Sequence, residues 1–96
     1  MVVFKEAVEF DWDEGNVSKS LLKHNVTRQE CEDVFTYQKR RIYEDIEHSQ
    51  SEERWIILGR TGRGRHLFVV YTQRRDRIRV ISARDINKKE LKVHYG

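Results

Sequence analysis

Apolar and polar residues recur along most of this chain with a regular period, and the period changes at residues that cap helices or close turns. Val2, Phe4, Val8 and Phe10 share one parity, so a first strand is expected over 2–10, interrupted at Glu6. Asp11 or Asp13 can then cap a helix in which Val17, Leu21 and Leu22 share a face, running to His24. Asn25 follows as a residue that tolerates positive φ and can end that helix. Thr27 and Glu30 have capping-box spacing, Val26 and Cys31 have the spacing of a hydrophobic staple, and Cys31, Val34 and Phe35 supply a buried stripe for a second helix. The device repeats near the end of the chain. Asn87 and Glu90 form the cap and Ile86 and Leu91 the staple, with Leu91, His94 and Tyr95 on one face of a short closing helix.

Between the helices lie four runs rich in Ile, Val, Phe and Tyr: Lys39 to Ile46, Arg54 to Thr61, Arg65 to Gln73 and Arg77 to Arg84. Gly62-Arg63-Gly64 suits a tight hairpin and Arg74-Arg75-Asp76 a slightly larger one, so the last three strands should form an antiparallel meander. The expected fold is α+β. It has an antiparallel sheet of about four strands, two N-terminal helices packed on one face and a short C-terminal helix. A length of 96 residues fits one core, so 1–96 is expected to be a single domain.

Composition adds the first functional pointer. Charged residues make up 36% of the chain against 38% apolar, which implies a small core beneath an ionic surface. The net charge of +3 conceals an asymmetry: residues 1–53 carry a balance of −6 and residues 54–96 one of +9. Nine of the twelve later cations are arginine, whose planar fork matches phosphate or carboxylate. A polyanion is the partner this predicts. No apolar run approaches the length of a membrane span, the N-terminus lacks a secretory pattern, and the single cysteine, Cys31, cannot form an internal disulfide. A cytoplasmic protein without membrane attachment is expected.

In the last strand Ile78, Val80 and Ser82 share the parity of a core face, leaving Arg77, Arg79, Ile81 and Ala83 on the other. With Arg54, Arg60 and Arg65 on neighbouring strands, several guanidiniums are expected to converge over the open side of the sheet and hold a phosphodiester backbone. The plain alternative is a face neutralised by the acidic first half. Lys23-His24, at the end of the first helix, offers a titratable group beside a cation, or simply a histidine favoured by the helix dipole. Trp55 can stack a base or fill the core. Cys31, His24, His48, His66 and His94 show no zinc-ligand spacing, and Gly59, Gly62 and Gly64 join two strands rather than introducing a helix as a phosphate loop does. Neither Ser82 nor Cys31 has the setting of a nucleophile.

Taken in order, Phe10-Asp11-Trp12-Asp13, Leu22-Lys23-His24, Val26-Thr27 and Glu32 to Phe35 resemble the opening of the BrnT toxins of bacterial type II toxin–antitoxin pairs. Glu52-Glu53-Arg54-Trp55-Ile56 to Gly59, the Leu67 to Thr72 strand, Arg77 to Arg84, Glu90 and Tyr95 extend the resemblance over about residues 10–95. Glu14 and Asn25 stand where the family often has Pro and Gly; both preserve the helical signals of their positions. The resemblance implies a RelE-like fold and a small, ribosome-independent ribonuclease. It also implies a BrnA-like, DNA-binding antitoxin that holds the toxin inactive, the complex repressing its own operon and reaching operator DNA only through the antitoxin.

RNA brings its own nucleophile, the 2′-hydroxyl, so such cleavage can proceed without a metal or other cofactor. Arg65 and Arg79 are the expected stabilisers of the phosphorane, with Arg54 and Arg84 behind them. Lys23 and His24 are the expected base or acid, followed by Glu53 and Tyr95, and Arg54, Trp55, Arg60, Arg77 and Arg84 are expected to contact RNA. The competing class is a non-catalytic nucleic-acid-binding or co-repressor module that uses the arginine face only for docking.

Overall fold

A computed structural model of the chain describes residues 9–12, 16–48 and 52–95. The elements in chain order are β1 (Glu9–Phe10), α1 (Asn16–Lys23), α2 (Arg28–Thr36), β2 (Arg41–Glu44), a 3-10 turn (Ile46–His48), β3 (Trp55–Arg60), β4 (His66–Arg74), β5 (Arg77–Asp85) and α3 (Lys88–Tyr95). No described helix is long and apolar enough to cross a membrane.

The capping signals act as their spacing requires. The Thr27 hydroxyl accepts from the Glu30 N–H at 3.1 Å, while the Glu30 carboxylate accepts from the Thr27 N–H at 3.0 Å. Asn87 and Glu90 repeat the exchange at 2.8 and 3.1 Å. Asn25 adopts a φ of 54°, which ends α1 and turns the chain into α2. Asp11 is not a helix cap: it follows β1 and pairs with Arg79. Asp13 lies outside the described residues, as does the expected strand before Glu9.

The expected α+β architecture holds, but among the described residues the sheet has five strands and is mixed, in the order β1-β5-β4-β3-β2. The β2–β5 meander is antiparallel, whereas β1 runs parallel to β5, with Glu9 opposite Arg77 and Phe10 opposite Ile78. The chain leaves β1, crosses one face through α1 and α2, enters the sheet at the far edge, and returns by hairpins. Three reversals between β2 and β5 leave the last strand running with the first. Alternation of side chains encodes a strand but not its partner: the expected first strand is present at Glu9–Phe10, while its parallel pairing with β5 has no local signal.

Both N-terminal helices cover the same face. Leu21, Val26, Cys31, Val34 and Phe35 pack with Ile57, Leu67, Val69, Tyr71, Ile78, Val80 and Ala83 in one core. Phe35 meets Phe10 at 5.1 Å and Tyr71 at 5.0 Å, both edge to face, so one ring on α2 joins β1 to β4. A bulge alters the expected parity of β5. Val70 pairs with Ser82 but Tyr71 pairs with Val80, leaving Ile81 as the extra residue. Ala83, 1% exposed, therefore joins Ile78 and Val80 in the core, and Ser82 moves to the opposite face. The strict alternation expected from sequence reverses both positions.

The approach of α2 to β3 is close enough to require glycine. A Cβ on Gly59 would stand 2.7 Å from Val34 Cγ1 and 2.9 Å from the Val34 carbonyl oxygen, whereas one on Gly62 would meet only Asp33 Oδ2 at 3.5 Å. Gly59→Ala is expected to destabilise the fold by about 1–3 kcal/mol through overpacking against backbone, and Gly62→Ala to be close to neutral. Equilibrium urea unfolding of the two variants checks the contrast.

Candidate functional site

Two groups of charged side chains occupy opposite faces of the sheet. The first gathers around Arg65, which precedes β4 and, by its parity with Leu67 and Val69, projects to the helix-covered side. Its Nη2 donates to the His24 carbonyl at 2.7 Å and its Nη1 to the Asn25 carbonyl at 2.6 Å, groups exposed because α1 ends there. Nε and Nη2 also fork onto the Asp85 carboxylate at 2.5 and 3.0 Å, and Nη1 lies 3.4 Å from Glu30. Every nitrogen of the guanidinium thus has an acceptor within the protein. The hydrogen bond to Asp85 raises the Arg65 pKa further, and the same bond holds the Asp85 carboxyl below the ordinary value of 3.8.

This corner collects Lys23, His24 and Arg65 from the sequence candidates, and adds Glu30, read from the sequence only as a helix cap, and Asp85, which sequence spacing does not single out. Lys23 is exposed at the end of α1, and His24 is half-buried and close enough to Asp85 to favour its ionised form. Beside the corner lies a cavity of about 430 Å³ between α2 and the β3–β4 turn, lined by Thr27, Glu30, Asp33, Gly62, Arg63 and Arg65 among others. Asp33 is committed there, accepting from the Gly62 N–H at 3.0 Å and from Gln29 at 2.9 Å.

The second group lies on the other face. Arg79 pairs across the sheet with Thr72, and Arg54, one residue ahead of β3, extends the register to the same level. Thr72 is buried and donates to the Glu53 carbonyl at 2.9 Å, holding the start of β3 beside it. Arg79 Nη2 reaches Asp11 at 3.1 Å, but its Nε is buried without a hydrogen-bond acceptor among the described residues. A buried donor left in this way is costly unless an acceptor arrives. The next level carries Arg77, 3.6 Å from Glu9, and Arg74, 2.7 Å from Glu52.

The expected convergence of arginines is therefore divided. Arg65 and Thr72, the partner of Arg79, are seven residues apart along β4, about 23 Å, and on opposite faces. Arg65 and Arg79 cannot grip one phosphate. Arg84 is on the Arg79 face but is occupied, forking onto Glu90 at 2.8 and 2.9 Å with its guanidinium 4.0 Å over the Phe68 ring. It ties α3 to the sheet. Arg60 is exposed at the end of β3, and Trp55 packs against the core. Glu53 is exposed at the Arg79 end, and the Tyr95 side chain lies outside the described residues. Burial pushes the Cys31 thiol up to about 12, so it is no nucleophile. Among the described residues, no group of three or more His, Cys, Asp and Glu side chains is placed to hold a metal ion.

A family model described as the ribonuclease toxin BrnT of type II toxin–antitoxin systems matches residues 12–90. No curated protein matches the chain.

Arg65 joins the end of α1, the start of α2 and the end of β5, so Arg65→Ala is expected to cost about 1–3 kcal/mol, moderated by partial solvent exposure. Asp85 has a folded pKa below its unfolded value. Its contribution is consequently complete above 3.8 and lost as pH falls through the lower folded value. The stability gap between the native chain and Asp85→Asn should be constant near neutrality and close in that acid window, as read by urea unfolding across pH.

Proposed function

The chain belongs to the BrnT family of ribonuclease toxins of type II toxin–antitoxin systems, and we propose that it cleaves RNA on the sheet face that carries Arg79. The observation that carries this choice is the half-committed Arg79 guanidinium, with a buried Nε that has no acceptor among the described residues and a level of the sheet shared with Arg54. A phosphate oxygen supplies that acceptor once the Arg79 side chain swings outward and exposes Nε. Arg65, by contrast, would have to surrender bonds to three elements before it could bind one.

In the proposed reaction the 2′-oxygen attacks the adjacent phosphorus while a base takes its proton. Arg79 stabilises the charge gathering on the phosphorane, and the 5′-oxygen leaves with a proton, producing a 2′,3′-cyclic phosphate. Arg54 and Arg77 hold neighbouring phosphates by salt-sensitive contacts. Glu53 is the proposed base: the Thr72 hydroxyl ties its backbone to the Arg79 level, whereas Lys23 and His24 belong to the opposite corner. Tyr95 is the proposed acid. The reaction is proposed to require neither metal nor ribosome and to take place in the cytoplasm.

The family implies an antitoxin partner. We propose that a BrnA-like, DNA-binding antitoxin lays an acidic or amphipathic segment over the same face, excluding RNA, and carries the complex to its own operator. A RelE-like label for the fold belongs to the same proposal. Because such a segment binds only the folded toxin, the complex should melt above the isolated chain, and equal melting temperatures would remove the linkage.

Purified protein should cut RNA in EDTA, release a cyclic phosphate and leave the matching DNA intact. Arg79→Ala should slow cleavage by about 10²–10³-fold, as loss of a transition-state donor does. Equal cutting of DNA would overturn the 2′-hydroxyl route, and salt-dependent binding without any cleavage would favour a docking module.

A further inference from the structure

We propose that the strip of sheet beside Arg79, formed by Ile56, Val70 and Ser82, seats one base of the RNA whose phosphate Arg79 holds, with the Ser82 hydroxyl bonded to the edge of that base. The proposal rests on the reading that this face binds RNA at Arg79, and it names the part of the substrate that the neighbouring row recognises.

Ile56 pairs with Val70 and Val70 with Ser82, so the three side chains stand in one row across β3, β4 and β5. Their neighbours Ile57, Val69, Tyr71 and Ala83 belong to the core beneath the helices, which turns the row to the Arg79 face. All three are half-buried, so each keeps surface that the rest of the chain leaves accessible. Ser82 stands in this row because of the bulge at Ile81; strict alternation from Arg77 would have put it under the helices. Its hydroxyl has no hydrogen-bond partner among the described residues. A hydroxyl can both donate and accept, so it suits the mixed edge of a nucleobase.

Position identifies the occupant. Val70 is two residues along β4 from Thr72, the partner of Arg79, a separation of about 7 Å. A base whose own phosphate rests on Arg79 reaches that far. Two residues further on, Phe68 pairs with Leu58 and with Arg84, and the Arg84 guanidinium lies 4.0 Å over the Phe68 ring while forking onto Glu90 of α3. Leu58 is 1% exposed there, although it shares the parity of Ile56 and lies outside the core cluster under α1 and α2. The strip is thus accessible beside Arg79 and closed at its far end. A group hanging from a backbone fits a blind end, whereas a strand or helix laid along the sheet would have to pass through it. Charge agrees, since Arg77 and Arg79 stand at the accessible end and favour an anionic backbone there. Hydrocarbon beneath the flat of a ring and one polar group at its edge is the arrangement that small planar ligands use.

Fluorescence anisotropy with 2′-fluoro octanucleotides tests this, because they lack the attacking hydroxyl and are bound without being cut. Homopolymers of A, C and U put the same base in the strip whatever their register, and an octamer of abasic tetrahydrofuran phosphates carries the phosphates alone. The native chain is expected to bind at least one homopolymer about tenfold more tightly than the abasic octamer. Ser82→Leu, which fills the strip, should lower that homopolymer to the abasic level and leave the abasic octamer bound as before. Ser82→Ala should change the ratios among the three homopolymers by about three- to tenfold, as loss of one hydrogen bond does. Melting temperatures of both variants should stay close to the native value. Equal binding of base-bearing and abasic octamers by the native chain would overturn the proposal and leave the strip to a side chain of the antitoxin; ratios unmoved by Ser82→Ala would overturn it as well. Arg79→Ala should weaken all four octamers. If it weakens none, the phosphate site and the base subsite fall together, whereas dependence on Arg79 without any preference for bases removes the subsite alone. Cutting of ordinary RNA by the native chain is read separately, so failure of the subsite and failure of the ribonuclease reading are distinguishable.

Discussion

The Arg65 guanidinium is the interaction on which the arrangement of helices over sheet depends. Two helices joined by a short turn leave carbonyl groups unsatisfied at the end of the first and need a cap at the start of the second. Asn25 turns the chain, and Arg65 binds the His24 and Asn25 carbonyls while reaching the Glu30 carboxylate that also caps α2. Its other edge rests on Asp85, the last residue of β5. A planar fork with five donors can serve all these acceptors at once; a lysine ammonium would present three donors from one point. The consequence reaches function, because a side chain so engaged is a poor ligand for a diffusing phosphate.

On the opposite face the bulge at Ile81 has a comparable reach. Without it, Ala83 would face away from the core and Arg84 would share the helix-covered side with Ile78 and Val80. With it, the small Ala83 fits beneath the helices, and Arg84 emerges over Phe68, where it can hold Glu90 of α3. One extra residue therefore keeps Arg77, Arg79 and Arg84 on a common face despite their mixed parity in sequence.

Local signals were legible. The Thr27–Glu30 and Asn87–Glu90 boxes, the positive φ of Asn25 and the four long β-runs all lie within a few residues of their causes. Four features were not legible, for a shared reason: the parallel β1–β5 pair, the Ile81 bulge, the split between Arg65 and Arg79, and the Asp11–Arg79 bond depend on contacts between distant parts of the chain. The apolar doublet Val80-Ile81 interrupts the alternation in Arg77 to Arg84, but a doublet alone does not say which residue leaves the ladder; the pairing of Tyr71 with Val80 does. At the candidate site, alternation placed Arg77 and Arg79 away from the core, where the structure has them, but Arg65 carried the same arginine signal with its donors turned inward.

The charge asymmetry of the chain acquires a different meaning once it is folded. Acidic residues of the first half meet cations of the second: Asp11 pairs with Arg79, Glu9 with Arg77, Glu52 with Arg74 and Glu30 with Arg65. The fold brings the two ends of a sequence dipole together, so the sheet does not present a bare cationic surface. An arriving phosphate competes with carboxylates already in place. Exposed pairs such as Arg77–Glu9 resist weakly, since solvent and salt screen them. Arg79 differs because its bond to Asp11 uses one terminal nitrogen and leaves the buried Nε without an acceptor among the described residues. A phosphate that satisfies Nε gains a hydrogen bond that Asp11 does not provide in this arrangement. The same acidic first half that keeps the free protein compact can thus discourage diffuse binding to polyanions while leaving one arginine able to recognise a correctly placed phosphate.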